Sequence, residues 1–312
     1  MWDRELMPNT PRYTRKPGHV ESWFFRANHP TRPLAIWVRT TILARLNGET
    51  LAETWFIAFD GEQGQTHVQK RTVPFQTAKF TADSIHVDAL KVTLADSIVG
   101  TIGDATLDLQ WRPVVVGTVS LYPYSWLLTG PFPKSKLLTP QPWLWVEGSV
   151  NVAGNTWTID GWTGMQGHNW GKENAFEYAW GHCVFEGAGV VVEGFTGRVK
   201  VAGRLTPWMS TAVVRRGKDQ WRFDVLFDFW DQQASITPGR WTLGLTSAAG
   251  SLTLEMDSTA VPTVTLDYEN PDGRIAKCHN SKLAAVTLTV TPRNGEPFTC
   301  RSAHGGALEI LR

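Results

Sequence analysis

The stretch GMQGHNWGKENAFEYAWGHCVFEG (Gly164–Gly187), continued by AGVVVEGFTGR (Ala188–Arg198), decides how this chain is read. From Tyr178 to Phe185 the residues alternate in size. A strand of period two puts Tyr178, Trp180, His182 and Val184 on one face and Ala179, Gly181, Cys183 and Phe185 on the other. The first face is bulky and polar-tipped, and the second can pack closely. Two placements fit the bulky face: turned into a barrel lumen as a pocket wall, or turned outward and partly solvated. Upstream, Gly161, Gly164, Gly167 and Gly171 make the backbone permissive around His168-Asn169-Trp170. That pattern predicts a bend that re-aims those three side chains. Asn offers donors and acceptors, Trp one indole donor, and His a proton near neutral pH. They line a site or are ordinary hydrogen-bonded residues of a β protein.

The same texture extends in both directions. LAIWVRTTILARL (34–46), ETWFIAFD (53–60), WRFDVLFDFW (221–230) and AAVTLTVTP (284–292) are runs of β-branched and aromatic residues, separated by turn signals such as Asp60-Gly61 and Gly154-Asn155. Strands at intervals of about 8–12 residues without alternating helices indicate antiparallel sandwiches or barrels. The chain is therefore expected to be all-β. Pro131, Pro133, Pro140 and Pro142 crowd the interval Thr129–Trp143, which reads as a connector because proline cannot donate to a ladder. Two β domains are expected on either side of it, 1–135 and 136–312.

Composition sets limits. Charged residues are 19% of the chain, the net charge is +1, and no basic run or RNA-binding signature is present, so nucleic acid is not an expected partner. Sixteen Trp against five Tyr suit either an aromatic core or an aromatic-lined cavity. Cys183, Cys278 and Cys300 are odd in number and lack metal spacing, so reduced thiols in a cytoplasmic protein are expected. The N-terminus carries no apolar leader, and no apolar run approaches the roughly 20 residues of a membrane helix. GxSxG, P-loop, GxGxxG, HExxH and EF-hand patterns are absent, and neither a metal nor another cofactor is expected.

Other residues carry chemistry. Glu193 interrupts an apolar run; if inward, its pKa would rise and make it an acid at neutral pH, and if at an edge it would pair with Lys or Arg. HVESWFFRANHP (19–30) puts His19, Glu21, Trp23 and Phe25 on one strand face. Asp224 and Asp228 share a face with Trp230, but four residues of strand is roughly 13 Å, too far for a coupled dyad.

EGSVNVAGNTWTIDGWTGMQGHNWG (147–171) resembles the segment leading into the His-x-Trp-Gly motif of the AttH/carotenoid 1,2-hydratase family, and HVESWFFRANHP resembles that family's N-terminal segment. The family is lipocalin-like, includes Diels–Alderases, and has tocopherol cyclase as a distant relative. The resemblance implies two lipocalin-like (calycin) antiparallel β-barrel or sandwich domains packed together around a hydrophobic ligand, and chemistry on polyenes or isoprenoids without a dissociable cofactor. His168 and Trp170 match the motif His and Trp. Gly167 stands where an Asp usually precedes that His, and VVEGFTGR offers Glu193 and Phe195 where the hydratases carry Tyr-x-Asp.

The resulting expectation is a cofactor-independent hydratase, cyclase or isomerase acting on a hydrophobic isoprenoid or polyene, by protonation or by a pericyclic route. His168, Glu193 and Tyr178 are the expected catalytic residues. Asn169, Trp170, Trp180, His182, Glu21, Trp23 and Phe195 are expected to bind substrate. Its partner would be a hydrophobic small molecule, collected by transient contact with a membrane. A non-catalytic carrier would use the same aromatic cavity, and a purely structural protein would have none.

Overall fold

The computed structural model describes residues 7–174, 177–201, 204–224 and 232–312. Asp228 and Trp230 lie outside the described residues. The first sheet contains β1 (His19–Asn28), β2 (Leu34–Ala44), β3 (Thr50–Asp60), β4 (Gln65–Pro74), β5 (Lys79–Phe80), β6 (Ser84–Val87), β7 (Leu90–Thr93), β8 (Ser97–Ile102), β9 (Ala105–Val115), β10 (Ser135–Val152) and β11 (Asn155–Gly171). The second half contains β12 (Glu177–Phe185), β13 (Val190–Arg198), β14 (Lys200–Val201), β15 (Arg204–Leu205), β16 (Met209–Arg216), β17 (Asp219–Asp224), β18 (Gln232–Thr237), β19 (Arg240–Ser247), β20 (Gly250–Asp257), β21 (Val264–Glu269), β22 (Ile275–Pro292) and β23 (Phe298–Leu311).

The first sheet runs β4-β3-β2-β1-β11-β10-β9-β8-β7-β6-β5 and the second β17-β16-β13-β12-β23-β22-β20-β19-β18, with β21 paired to β22 and β14–β15 a separate ribbon. Every named pair is antiparallel, so the all-β reading with two lipocalin-like β units describes the molecule. The second sheet curls on itself: Trp241 of β19 donates its indole N–H to Thr196 of β13 at 3.1 Å, although four strands separate them. Gly181 and Gly194 make room for that indole, since a Cβ on either would stand 2.9 Å from it.

Three cores follow from the alternation. β9 reads buried-exposed along ATLDLQWR, with one face on the first core and the other in solvent. β2 is buried at every position, because Ile36, Val38 and Ile42 enter the first core while Ala35 and Trp37 enter a third core at the seam between the sheets. Phe24 and Met165 of the first sheet meet Trp180 and Leu311 of the second in that seam.

Two sequence expectations change here. Pro140 and Pro142 lie inside β10, not in a connector; the ladder shifts register between Leu138 and Gln141 and again before Leu144, which accommodates residues without an N–H. The crossover is 116–134, containing one short helical turn, α1 (Trp126–Thr129). β10 and β11 consequently pair within the first sheet, whereas a division at 135 assigns them to the second unit. Nor do the glycines before His168 make a bend, because β11 is one strand from Asn155 to Gly171. Gly167 is required by close approach: a Cβ there would meet the Phe24 ring at 2.1 Å.

Candidate functional site

The expected site residues separate onto opposite faces of the first sheet and across the seam. Register sets Trp23 opposite His168 and Glu21 opposite Trp170 on β1 and β11. All four are buried, with no exposure at Glu21 or His168. His168 Nε2 lies 2.8 Å from Glu21 Oε1 and its Nδ1 2.6 Å from the Pro8 carbonyl. Each ring nitrogen thus faces an oxygen acceptor. The ring stacks on Trp23 at 4.5 Å and tilts against Trp170 at 4.8 Å. Glu21 also accepts from the Arg12 and Tyr13 amides and from His19. Burial opposes its charge, but the hydrogen bonds from His168 and His19, the His168 charge and the Arg12 amide outweigh it and hold the carboxyl down at about 2. This cluster clamps residues 8–13 against the first core, and none of its members lines the cavity described next. The motif His and Trp thus pack on the first sheet's side away from that cavity.

The alternation from Tyr178 to Val184 is present, with the bulky face turned into the seam. The small face of β12 packs instead on the second core, with Ala179, Cys183 and Phe185. Tyr178 and Trp180 of that face line a cavity between the two sheets, and not the lumen of one barrel. His182 accepts from the Arg26 guanidinium at Nδ1 (2.6 Å) and donates from Nε2 to the Pro142 carbonyl (2.9 Å). Burial first, and then the Arg26 charge, push it well below the ordinary histidine range, so it is a neutral link between the sheets and is absent from the cavity wall described below. Glu193 sits opposite His182 in register and is buried. Its Oε1 accepts from Thr139 (2.8 Å) and the Trp180 indole (3.0 Å), and its Oε2 has no partner. Burial raises its pKa to about 7 against those two hydrogen bonds. It stands behind Trp180 and does not itself line the cavity.

A cavity of about 170 Å³ opens between the sheets. Its walls are mainly apolar, including Phe24, Trp37, Leu121 and Leu127, and they also include four of the expected residues, Asn169, Tyr178, Trp180 and Phe195. The polar groups on its wall that sequence reading missed include Arg39, Lys136, Tyr268 and Glu309. Arg39 covers the Tyr268 ring at 4.3 Å. Glu309 lies opposite Trp180 across β12–β23; its Oε1 accepts from Asn280 (2.9 Å) and from the fully buried Lys282 (2.7 Å). Its Oε2 has the Cys278 thiol at 3.9 Å, and that sulfur is 3.9 Å from Tyr178 Oη. Burial, then Cys278 and Glu309, hold the Tyr178 phenol well above its ordinary value, so it stays protonated. The one sequence signal for this group is Glu309 in GGALEILR, a lone carboxylate in an apolar C-terminal run.

Two solved structures share this architecture. A provisionally assigned AttH from Nitrosomonas europaea superposes with a TM-score of 0.61 at 16% identity, covering 94% of this chain and 92% of its own. Kievitone hydratase from Nectria haematococca superposes with a TM-score of 0.59 at 13% identity, covering 98% and 91%. The chain has the lipocalin-like AttH fold. No protein-family model matches it. By sequence it is 25% identical over 292 residues to uncharacterized proteins of Mycobacterium tuberculosis strains CDC 1551 and H37Rv, covering 91% of this chain and 85% of each of theirs. Relative to the AttH-type motif, Gly167 in place of Asp has a local reason: the Phe24 ring fills that space. Among the described residues no group of three or more His, Cys, Asp or Glu is arranged to hold a metal, and no helix is long and apolar enough to cross a membrane.

Proposed function

We propose that this protein is a hydratase-type enzyme that adds water to a hydrophobic, unsaturated small molecule held in the inter-sheet cavity. The observation that carries the reading is the cavity itself: an apolar chamber with Tyr178 and Glu309 on one wall, fed from both sheets. Apolar pockets with a few converging polar groups are the usual form of small-molecule sites. The fold shared with a hydratase raises that reading by analogy. An isoprenoid or polyene is the substrate class that the sequence resemblance supplies, and no step needs a dissociable cofactor. Asn169, Trp180 and Phe195 bind, and Tyr178 donates a hydrogen bond or a proton. Glu193 positions the Trp180 indole, while His168, Trp170, Glu21 and Trp23 hold the first sheet's end closed.

The test is incubation of the protein in ¹⁸O-labelled water with kievitone and a panel of isoprenoid alkenes and enones, read by mass spectrometry. Gain of labelled water by one compound, well beyond one equivalent of protein, supports the reading. A compound bound one-to-one and recovered unchanged favours a carrier, for which the same apolar lining would suffice. No binding and no turnover across the panel counts against both.

A further inference from the structure

Resting on that reading, we infer that Glu309 is the general base of the reaction and that the double bond hydrated is one conjugated to a carbonyl. The two oxygens of Glu309 are used differently. Oε1 is fixed by Asn280 at 2.9 Å and Lys282 at 2.7 Å, so the side chain is aimed by two donors from β22. Lys282 is fully buried and lies over the rings of Trp37 (5.3 Å) and Trp180 (5.7 Å), so its ion pair with Glu309 is built into the seam. Oε2 accepts one long hydrogen bond, from the Cys278 thiol at 3.9 Å, and belongs to a side chain that lines the cavity. A carboxylate with one oxygen anchored by two close donors and the other held only by a weak thiol donor is poised to take a proton from water.

The rest of the wall suits negative charge. Arg39, Tyr178 and Tyr268 line the same cavity, and each is a hydrogen-bond donor. Donors fixed beside a developing oxyanion stabilise it most in a site shut off from bulk water. The step balances as follows. Glu309 Oε2 takes a proton from water while the water oxygen bonds to the carbon remote from the carbonyl. The π electrons move to the carbonyl, and the enolate oxygen accepts hydrogen bonds from the donor wall. Tyr178 then supplies the proton to the enolate. The proton held by Glu309 returns to the Tyr178 phenolate along the row Glu309 Oε2, Cys278 Sγ, Tyr178 Oη, with 3.9 Å between successive atoms. Both groups end as they began.

The experiment uses the compound that gains labelled water in the panel above. Glu309→Gln keeps an oxygen acceptor for Asn280 and Lys282 but removes the base. It is expected to lower kcat by about 10²-fold or more, with KM within a few-fold. Glu309→Ala is expected to regain activity with added formate, which a merely structural ion pair would not allow. Turnover by Glu309→Gln within about threefold of wild type, or a Glu309→Ala variant that folds by circular dichroism and is not rescued, overturns the assignment of the base. A panel in which non-conjugated alkenes gain water and enones do not overturns the substrate class. A panel in which nothing gains water removes the underlying hydratase reading instead.

Discussion

Replacing Glu21 by Gln tests the physical account of the His-x-Trp motif. Glu21 accepts four hydrogen bonds, from the amides of Arg12 and Tyr13 and from His19 and His168, at 2.7 to 2.9 Å. Gln keeps one acceptor oxygen and turns an NH₂ group on the donors that faced the other, leaving His168 buried without the carboxylate beside it. Glu21 titrates at about 2, against an ordinary 4.5. A span of about 2.5 pH units at about 1.4 kcal/mol each gives about 3.5 kcal/mol of stability at neutral pH. The pKa is depressed, so this contribution is present in full above pH 4.5 and is lost as pH falls through about 2. Glu21→Gln should therefore lower Tm by roughly 5–10 °C at pH 7, and the gap to wild type should close steadily from pH 4.5 to 2. Calorimetry on both proteins across that range is the assay. A gap at pH 7 worth under about 1 kcal/mol, or one that stays constant with pH, would refute the ion-pair reasoning.

Glu193 has the opposite sign. Its folded pKa of about 7 lies above the ordinary 4.5, so ionisation costs stability progressively as pH rises from 4.5 through 7. Glu193→Gln should be more stable than wild type at pH 8, by up to about 3 kcal/mol, and match it below pH 4.5; a variant less stable at pH 8 than at pH 4, relative to wild type, would contradict the burial argument. Gly167→Ala forces a methyl against the Phe24 ring and should destabilise by about 1–3 kcal/mol in urea unfolding. Gly187→Ala, where a Cβ meets nothing within 4 Å, should be neutral in the same experiment.

Much of the fold was legible because strand alternation is a local property. Tyr178 to Phe185 declared two unlike faces, and both exist. What lay opposite each face was not local. The seam joins β1, β2 and β11 of the first sheet to β12, β22 and β23 of the second, so which partner covers the bulky face could not be read from one segment. The prolines of 140 and 142 misled for a related reason: their cost is borne by register shifts, which a composition count does not reveal. Asn169, Tyr178, Trp180 and Phe195 line the cavity, since they share the seam-facing side of β11, β12 and β13. His168 and Trp170 did not, because one step along β11 inverts the face. Arg39, Tyr268 and Glu309 were missed because each looks ordinary in its own segment, and only the pairing of β22, β23 and β12 brings Glu309 beside Trp180.

The most direct test of the inter-sheet cavity as the working site is to fill it. Thr211 lines its wall from β16, and Thr211→Trp would occupy the space a ligand needs. Wild type and variant would be incubated in ¹⁸O-labelled water with the compound that wild type hydrates, with thermal unfolding confirming that the variant is folded. Loss of label incorporation and of ligand binding in a folded Thr211→Trp protein is the result this account predicts. Hydration by that variant at the wild-type rate would contradict it and move the chemistry elsewhere in the molecule.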